Sequence, residues 1–489
     1  MQTSFSPRVF RPDTSAGSPH RALVNLHKHW RVRLDGHRHL LGMVGRSSSG
    51  IEKSQCPIGI HSPPGDPFRR LYLQATWRVH TNARIKHGTS EVYESRPARA
   101  HLLASTMSLF QPPPPPSTKL ARHRQLSSLA GVHVSPLCLG GMSIGDQWEK
   151  LGMGAMNKES SFKLLDAFYE AGGNFIDTAN NYQNESSERF IGEWMEQRGV
   201  RDQMVIATKY TTMYKTGRDD IKQKSAYIGN NVKSMHVSIE ESLKKLRTTY
   251  IDILYVHWWD WTSSIEEVMN GLHHLVAAGK VLYLGVSDTP AWVVSRANTY
   301  ARLTGKTPFV VYQGAWNVLQ RDLEREIVPM AKAEGMAIAP WNVLAAGKIR
   351  TDAEEEERRK TGEKGRTIMD PRWERNEKEK KVAKVLEEVA SQVGASNIQA
   401  VAIAYVMQKV PYVFPIIGGR KIEHLRANIE ALDIVLTDEH MKQIESAVPF
   451  EVGFPGSFIG DGTAYGLSYK ISGHFDKWPA AQAIRPQKN

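Results

Sequence analysis

The sequence is poor in cysteine and contains no long apolar run. Its 489 residues include only two cysteines, Cys56 and Cys138, which lie far apart in the chain. This scarcity excludes a disulfide framework and a thiolate metal site, and it fits a reducing compartment. No segment approaches the roughly 18 apolar residues that a membrane-spanning helix needs, and the N-terminus lacks the apolar core of a secretory signal. We therefore expect a cytoplasmic protein without a membrane partner.

The main part of the chain also lacks an excess of charge of either sign. The formal net charge is +12, which by itself would suggest a polyanionic partner. Residues 1–106, however, carry 16 basic residues against 6 acidic ones, whereas the rest of the chain carries 47 against 45. Because the basic excess belongs to this leader, the sequence gives no reason to expect a nucleic-acid partner.

The leader, residues 1–106, shows little apolar periodicity and is rich in Arg, His and Ser. The segment QPPPPPST follows at residues 111–118 and is typical of a polyproline linker, which cannot join a sheet. We therefore predict a disordered basic leader and linker over residues 1–118 and a folded domain over residues 119–489. Two alternatives remain open for the leader: a mitochondrial presequence, or a reading frame whose functional product begins at Met107.

From about residue 126 the pattern changes to short apolar strands that alternate with segments of helical period. Such strands, separated by helices, predict a parallel sheet covered on its outer face, and eight such units close into a (β/α)8 TIM barrel. An open doubly wound sheet is the competing architecture, but no GxGxxG follows the first strand. The predicted strands are residues 137–141, 174–179, 204–210, 251–258, 281–288, 309–316, 336–343 and 413–419. The predicted helices are residues 158–172, 186–199, 230–246, 264–280, 379–394 and 422–432.

Two segments fall outside the eight units. Residues 348–375 form a strongly charged insertion after the seventh strand, for which we predict a solvated helix or loop in a position suited to a flap. The tail from about residue 449 is rich in aromatic residues and glycine and shows no period. Because the tail is too apolar to be simply disordered, we expect it to pack over one end of the barrel.

Four titratable side chains are predicted to meet at the C-terminal ends of the strands, which converge on one mouth in such a barrel. Asp177 ends the second strand, Tyr182 follows it, Lys209 ends the third strand and His257 ends the fourth. A phenol has a pKa of about 10, so we expect Lys209 to stabilise the phenolate of Tyr182 and Asp177 to keep Lys209 charged. His257 would direct a substrate oxygen. The set predicts a proton donor for a carbonyl that receives a hydride.

A second set of residues offers a cradle for the hydride donor. The fifth and sixth strands end in groups that can bond a carboxamide, and the seventh ends in an indole on which a planar ring can stack. After the eighth strand, two glycines permit close approach of a phosphate and an arginine begins a helix, although a plain turn also explains the glycines. The residues of this predicted cradle are Ser287, Asp288, Gln313, Trp341, Gly418, Gly419 and Arg420.

The chain resembles the aldo-keto reductases, in particular the fungal branch of aryl-alcohol dehydrogenases and norsolorinic-acid-reductase-like enzymes. The motifs that carry the resemblance appear in the family's order over roughly residues 120–450: GGMSIGDQW, MNKESSFKLLDAFYEAGGNFIDTANNY, VIATKY, YVHWWD, LGVSD, YQGAWNVLQRDLEREI, APWNVLAAGKI and PIIGGRKIEHLRANIEAL. The resemblance implies a monomeric or weakly associated (β/α)8 barrel that uses NADPH/NADP+ without metal or flavin.

The resemblance also implies roles for individual residues. Arg420 is the residue expected to select NADPH over NADH. Asp288 departs from the Asn of many relatives, Trp341 from the more usual Tyr or Phe, and His424 from the frequent Gln or Arg. The family's catalytic tetrad falls on Asp177, Tyr182, Lys209 and His257, its nicotinamide contacts on Ser287, Asp288, Gln313 and Trp341, and its adenosine phosphate contacts on Gly418, Arg420, His424 and Asn428.

The expected function is that of an NADPH-dependent carbonyl reductase, reversibly an alcohol dehydrogenase, in secondary metabolism. The expected small-molecule substrates are aromatic aldehydes or polyketide-like aryl ketones. A rival from another class is an NADPH-binding sensor with little turnover, because the potassium-channel β subunits also resemble this family. The expected aryl-binding wall is formed by the aromatic side chains of the tail, Phe454, Phe458, Tyr465 and Trp478.

Overall fold

The structure is a computed structural model that describes residues 112–153, 156–364, 366–367 and 371–486. The predictions for residues 1–106 therefore lie outside the described residues. Residues 112–116 have no regular secondary structure and are exposed. The folded part begins next to them, because Thr118 Oγ1 donates a hydrogen bond to Ala171 O over 2.7 Å and Leu120 is completely buried.

Eight parallel strands form a closed barrel, which confirms the predicted (β/α)8 fold. The strands of the chain are β1 (Arg124–Ser127), β2 (Ala130–Val134), β3 (Cys138–Gly140), β4 (Phe175–Asp177), β5 (Val205–Tyr210), β6 (Ile251–Val256), β7 (Val281–Ser287), β8 (Phe309–Ala315), β9 (Ala337–Trp341) and β10 (Ile416–Ile417). From β3 to β9 each strand pairs with the next, and β10 pairs with β3. The barrel closes between β9 and the segment before β10, where Phe414 N donates to Ile338 O over 2.9 Å.

Helices fill the intervals between the strands and pack on the outer face of the barrel. They are α1 (Lys158–Glu170), α2 (Ser186–Arg198), α3 (Val232–Lys245), α4 (Ile265–Ala277), α5 (Ala291–Leu303), α6 (Ile327–Glu334), α7 (Asp352–Thr361), α8 (Glu377–Val393), α9 (Ile398–Lys409), α10 (Ile422–Ile429) and α11 (Asp438–Ser446), and the tail adds the single turns Gly456–Ile459 and Leu467–Lys470. The six helices predicted from the sequence are confirmed. In the part of the chain that the structure describes, no helix has the length and apolar content needed to cross a bilayer.

The alternation of side chains along the strands determines which residues reach the mouth, the end of the barrel where the C-termini of β3–β10 lie. In β5, Ala207 belongs to the cluster inside the barrel, whereas Ile206 packs among the helices. Lys209 lies two residues beyond Ala207 and therefore points inward. Asp177 follows Phe175 of the interior cluster with the same spacing on β4. Because side chains alternate with a period of two, both charged side chains point into the barrel.

An antiparallel hairpin, β1–β2, closes the opposite end of the barrel. Leu126 and Val134 of the hairpin are fully buried against the interior cluster, which includes Phe175 and Phe414. This hairpin was not predicted, because its short strands precede the first clear repeat of the βα pattern. It leaves the mouth as the open end.

The predicted packing of the aromatic tail over one end of the barrel is wrong. Phe454, Phe458 and Trp478 are 85 %, 78 % and 92 % exposed. Tyr465 instead stacks on Tyr469, with ring centroids 4.9 Å apart. The tail aromatics therefore contact one another or solvent and form no packed wall in this structure.

The charged insertion contains helix α7, and most of its side chains are exposed, as predicted. One part of it is not solvated. The buried carboxylate of Glu355 accepts hydrogen bonds from Arg350 Nη2 over 2.6 Å and from Arg375 Nε over 2.8 Å. Two arginines that flank α7 in the sequence therefore bind it to the segments immediately before and after it.

A glycine permits the close approach of α2 to the end of α3. A Cβ at Gly192 would lie 2.2 Å from Lys245 O and 2.6 Å from Leu246 Cα. Because these are backbone atoms, they cannot rotate away, so Gly192→Ala is expected to lower the free energy of unfolding by about 1–3 kcal/mol in urea titrations. Gly131→Ala is the control, since a Cβ there meets nothing within 4 Å. Equal losses in the two variants would contradict this account.

Candidate active site

Asp177, Lys209 and Tyr182 come together at the mouth. Lys209 Nζ donates hydrogen bonds to Asp177 Oδ1 over 2.6 Å and to Thr178 O over 2.7 Å. It also donates to Tyr182 OH over 3.4 Å. An ammonium group has three hydrogens, so all three have acceptors. Lys209 is only 1 % exposed, and the site therefore contains a buried, fully bonded cation beside a phenol.

The electrostatics of this group agree with the predicted roles of Asp177 and Lys209 and add an effect of burial on Tyr182. Burial lowers the pKa of Lys209, but attraction to Asp177 and the hydrogen bonds outweigh it, so the net pKa is raised and the amine is charged at neutral pH. For Tyr182, burial raises the pKa more than Lys209 lowers it. Lys209 therefore favours the phenolate, but burial leaves the net pKa of Tyr182 above its usual value. Tyr182 is held protonated, and the cation is placed to stabilise phenolate as it forms.

His257 lies against the ring of Tyr182, edge to face, with ring centroids 5.9 Å apart. Burial and the nearby charge of Lys209 hold the pKa of His257 well below its usual range, so the ring is neutral. Its Nδ1 lies 3.0 Å from Thr212 Oγ1, which itself accepts a hydrogen bond from Trp258 Nε1 over 3.0 Å. Thr212 can donate its hydroxyl hydrogen to Nδ1, and in that tautomer the ring hydrogen is on Nε2. Neutral His257 can therefore act as a donor.

Gln313 contributes to the tetrad in a way that the sequence did not indicate. Its Nε2 donates to Asp177 Oδ2 over 2.9 Å. Since Lys209 occupies Oδ1, both oxygens of the buried carboxylate are bonded. Gln313 thus orients Asp177, and its carbonyl oxygen and second N–H hydrogen remain for the carboxamide contact expected of it.

Three other residues of the predicted cradle also lie at the mouth. Ser287 is 1 % exposed, and its Oγ has no hydrogen-bond partner among the described residues. Trp341 Nε1 donates to Asp288 Oδ1 over 3.2 Å. Although the side chain of Asp288 is open to solvent, desolvation by the walls of the mouth raises its pKa to about 6. The orphaned Ser287 hydroxyl is the kind of group that a bound carboxamide would satisfy.

A groove of about 440 Å³ connects the ends of β9 and β10 with the charged insertion. Arg420 makes no hydrogen bond or ion pair within the described ranges, whereas Arg366 Nη2 donates to Ser143 Oγ over 2.5 Å. The volume is in the range of small-molecule sites, and three guanidinium groups with two glycines suit the phosphates of a dinucleotide. The groove is lined by the predicted phosphate residues Gly418, Gly419, Arg420, His424 and Asn428 and by Arg358, Glu363 and Arg366 of the insertion.

Trp148 is a site residue that reasoning from sequence missed. Its ring meets that of Tyr182 edge to face, with centroids 6.2 Å apart. The residue lies in the quoted motif GGMSIGDQW, but nothing in that motif indicates which strand end its indole faces. Thr212, Arg358 and Arg366 were missed for the same reason, because their roles depend on loop paths.

The turn that follows Tyr182 is strained and fixed. Gln183, Asn184 and Glu185 have φ values of 52°, 49° and 78°, and the left-handed region costs a non-glycine residue roughly 1–2 kcal/mol. Trp148 holds the first two: its backbone N donates to Gln183 Oε1 over 2.8 Å and its Nε1 donates to Asn184 Oδ1 over 2.9 Å. Strain of this kind persists only where the surroundings determine it, and here it sets the direction of the Tyr182 side chain.

Comparison with known proteins is consistent with this geometry. The sequence pattern of the aldo/keto reductase family matches residues 136–449. The chain is 66 % identical to the aryl-alcohol dehydrogenase [NADP(+)] of Phanerodontia chrysosporium over 385 residues, which cover 78 % of this chain and 100 % of the relative. It is 59 % identical to a putative aryl-alcohol dehydrogenase of Saccharomyces cerevisiae (73 % and 94 % covered) and 54 % identical to the norsolorinic acid reductase of Aspergillus flavus (71 % and 86 % covered).

Proposed function

This chain belongs to the aldo/keto reductase family, and on that premise we propose that it is an NADPH-dependent carbonyl reductase, reversibly an aryl-alcohol dehydrogenase. Its substrates are aromatic aldehydes or aryl ketones, polyketide intermediates included. The observation that carries the proposal is the buried, charged Lys209 bonded to both Asp177 and the protonated Tyr182. The names of the relatives support the substrate class, since they include aryl-alcohol dehydrogenases and norsolorinic acid reductase.

The residues of the mouth have different roles in the proposed reduction. NADPH, when bound, would supply the hydride that the carbonyl carbon receives. Tyr182 donates its phenolic proton to the carbonyl oxygen, and Lys209 stabilises the phenolate that this leaves. His257 directs the same oxygen by donating a hydrogen bond from Nε2. Asp177 keeps the cation charged throughout, because Gln313 and Lys209 hold both of its oxygens.

The same proposal assigns the cofactor contacts. Ser287, with its unpartnered hydroxyl, and the side-chain oxygen of Gln313 would bond the carboxamide, and the Trp341 indole would hold the nicotinamide ring. Asp288 holds the indole of Trp341 in place through their hydrogen bond. The adenosine phosphates would be held by four lining residues of the groove, Gly418, Arg420, His424 and Asn428.

Arg420 is proposed to bind the 2′-phosphate that distinguishes NADPH from NADH. Arg420→Ala is expected to raise the Kd for NADPH by about 10- to 100-fold, as loss of a charge-assisted hydrogen bond implies, and to leave the Kd for NADH almost unchanged. Fluorescence titration measures both. Lys421→Ala is the matched control, since Lys421 is already paired with Glu363 at 3.0 Å. If Arg420→Ala weakened the binding of NADPH and of NADH equally, the result would contradict this assignment.

The aryl group of the substrate is proposed to lie against Trp148 rather than against the tail. Trp148 is half-buried and its ring meets Tyr182 edge to face, so an aromatic ring whose carbonyl reaches the Tyr182 hydroxyl would meet the indole. Phe458 and Trp478 of the tail face solvent and form no packed wall for such a ring.

Oxidation of NADPH in the presence of a panel of aromatic aldehydes and aryl ketones, followed optically, tests the proposed function. Turnover with 3,4-dimethoxybenzaldehyde and related aldehydes is the expected result. Tight binding of NADPH with no turnover on any carbonyl compound would instead support the sensor. The proposal also places the enzyme in the cytoplasm as a monomer or weak homo-oligomer, which sedimentation and microscopy of the tagged full chain would test.

A further inference from the structure

We propose that Lys245 is a positioning residue for the reaction, acting on Tyr182 through the loop that carries it. The inference rests on the proposed function, because it concerns the placement of the proposed acid. Lys245 Nζ donates to Asn180 O over 3.1 Å and lies 3.2 Å from Glu185 Oε2. Tyr182 lies between these two points in the chain. One ammonium group therefore holds both ends of the loop formed by residues 180–185.

Lys245 belongs to a buried cluster of four charges, two of each sign. Its Nζ lies 2.6 Å from Glu188 Oε2, and Lys215 Nζ donates to both oxygens of Glu185 over 3.1 Å. All four residues are less than 9 % exposed. Buried ion pairs contribute little net stability, because the cost of desolvation offsets their attraction. Their hydrogen bonds do, however, fix the relative positions of the elements they join.

The loop needs such a restraint because of its backbone. Glu185 has φ 78° and ψ −9°, a conformation that glycine adopts most readily. Its carboxylate is held by the lysines of the cluster.

The cluster also reaches the strand of Lys209. Glu188 Oε1 accepts a hydrogen bond from Thr208 Oγ1 over 2.6 Å, and Thr208 precedes Lys209 in β5. Lys245 is thus bonded, directly or through Glu188, to the segments that present the phenol and the ammonium. The geometry assigns it the task of keeping Tyr182 at its distance from Lys209.

The test compares three variants of the full chain. Lys245→Met is expected to lower kcat by about 100-fold, since a displacement of about 1 Å at a reacting group has an effect of that size, with the Kd for NADPH almost unchanged. The primary isotope effect with NADPH deuterated at the transferred hydrogen should rise, because the chemical step becomes slower. A loss of folded protein would lower the measured rate but leave the isotope effect unchanged. Lys245→Arg, which retains charge and donors, should recover most of kcat.

Lys244→Met is the matched control, because Lys244 lies next to Lys245 on α3 but is exposed and donates to Glu241 over 2.9 Å rather than to the loop. It is expected to keep kcat within about fivefold of the unaltered enzyme. An unchanged isotope effect in Lys245→Met, or equal loss of kcat in both methionine variants, would overturn the proposal.

If Lys245→Met does not fold, Glu185→Gly provides the test, because glycine accepts the backbone conformation of residue 185 and removes one of the two held ends. The expected result is about a tenfold loss of kcat with a raised isotope effect, and an unaltered kcat would overturn the proposal. Failure of the proposed function is distinguishable, since the unaltered chain would then show no turnover at all.

Discussion

Tyr182→Phe is expected to lower kcat for aldehyde reduction by about 10²- to 10⁴-fold, the range that a single general acid contributes, while the Kd for NADPH stays nearly the same. The substitution removes only the oxygen that accepts a hydrogen bond from Lys209 over 3.4 Å. The ring keeps its contacts with Trp148 and His257, so the site retains its shape. Steady-state kinetics and fluorescence titration of the purified variant measure the two quantities.

Tyr255→Phe is the matched control for this substitution. Tyr255 is opposite Lys209 in the pairing of β5 with β6, and its ring lies 5.8 Å from Lys209 Nζ. It is therefore a second buried phenol near the same cation, but it has no proposed part in proton transfer, and kcat should stay within about threefold. Retention of more than about a tenth of kcat in Tyr182→Phe would show that another group supplies the proton.

The fold and the convergence of the tetrad could be predicted because both depend on short-range pattern. Apolar strands and helices in alternation specify a parallel barrel, and the order of strands in such a barrel follows the order of the sequence. Asp177 and Lys209 lie two residues beyond buried apolar positions of β4 and β5. The period of two therefore specified their direction, and the barrel brought the two strand ends together.

The parts that could not be predicted depend on long-range packing. Helix α9 was missed because ten of its twelve residues are buried, so it has no polar face from which a helical period could be read. Composition alone led to the prediction that the tail covers the barrel. Its aromatic side chains instead contact one another or solvent. The contact of Lys245 with Asn180 joins residues 65 positions apart, which no local pattern reports.

The direction in which the pKa of Tyr182 is shifted also could not be predicted from the sequence. Charge alone predicts that Lys209 makes the phenol more acidic, but burial of the hydroxyl outweighs that attraction. For a proton donor this outcome is favourable, since the phenol stays protonated until the substrate oxygen gains negative charge. Lys209 then lowers the activation free energy, because it interacts more strongly with phenolate than with phenol.

Lys209→Met is expected to have the largest combined effect, a loss of about 3–5 kcal/mol in the free energy of unfolding, which is typical when one partner of a buried ion pair is removed. The reason is that Asp177 would keep its charge inside the barrel with Gln313 Nε2 as its remaining hydrogen-bond donor. The kcat should fall by at least about 10²-fold, since the developing phenolate loses its cation. Urea unfolding and NADPH oxidation measure the two losses separately.

The double variant Lys209→Met/Asp177→Asn separates stability from catalysis. An amide at position 177 carries no charge, so the double variant should recover most of the unfolding free energy that Lys209→Met loses. It should nevertheless remain as inactive as the single variant, because neutralising the carboxylate does not replace the ammonium beside Tyr182. If activity returned together with stability, the cation would be needed only to compensate the charge of Asp177. Recovered stability without activity would instead mean that Lys209 acts on the reaction itself, and that Asp177 is present in the barrel to keep it charged.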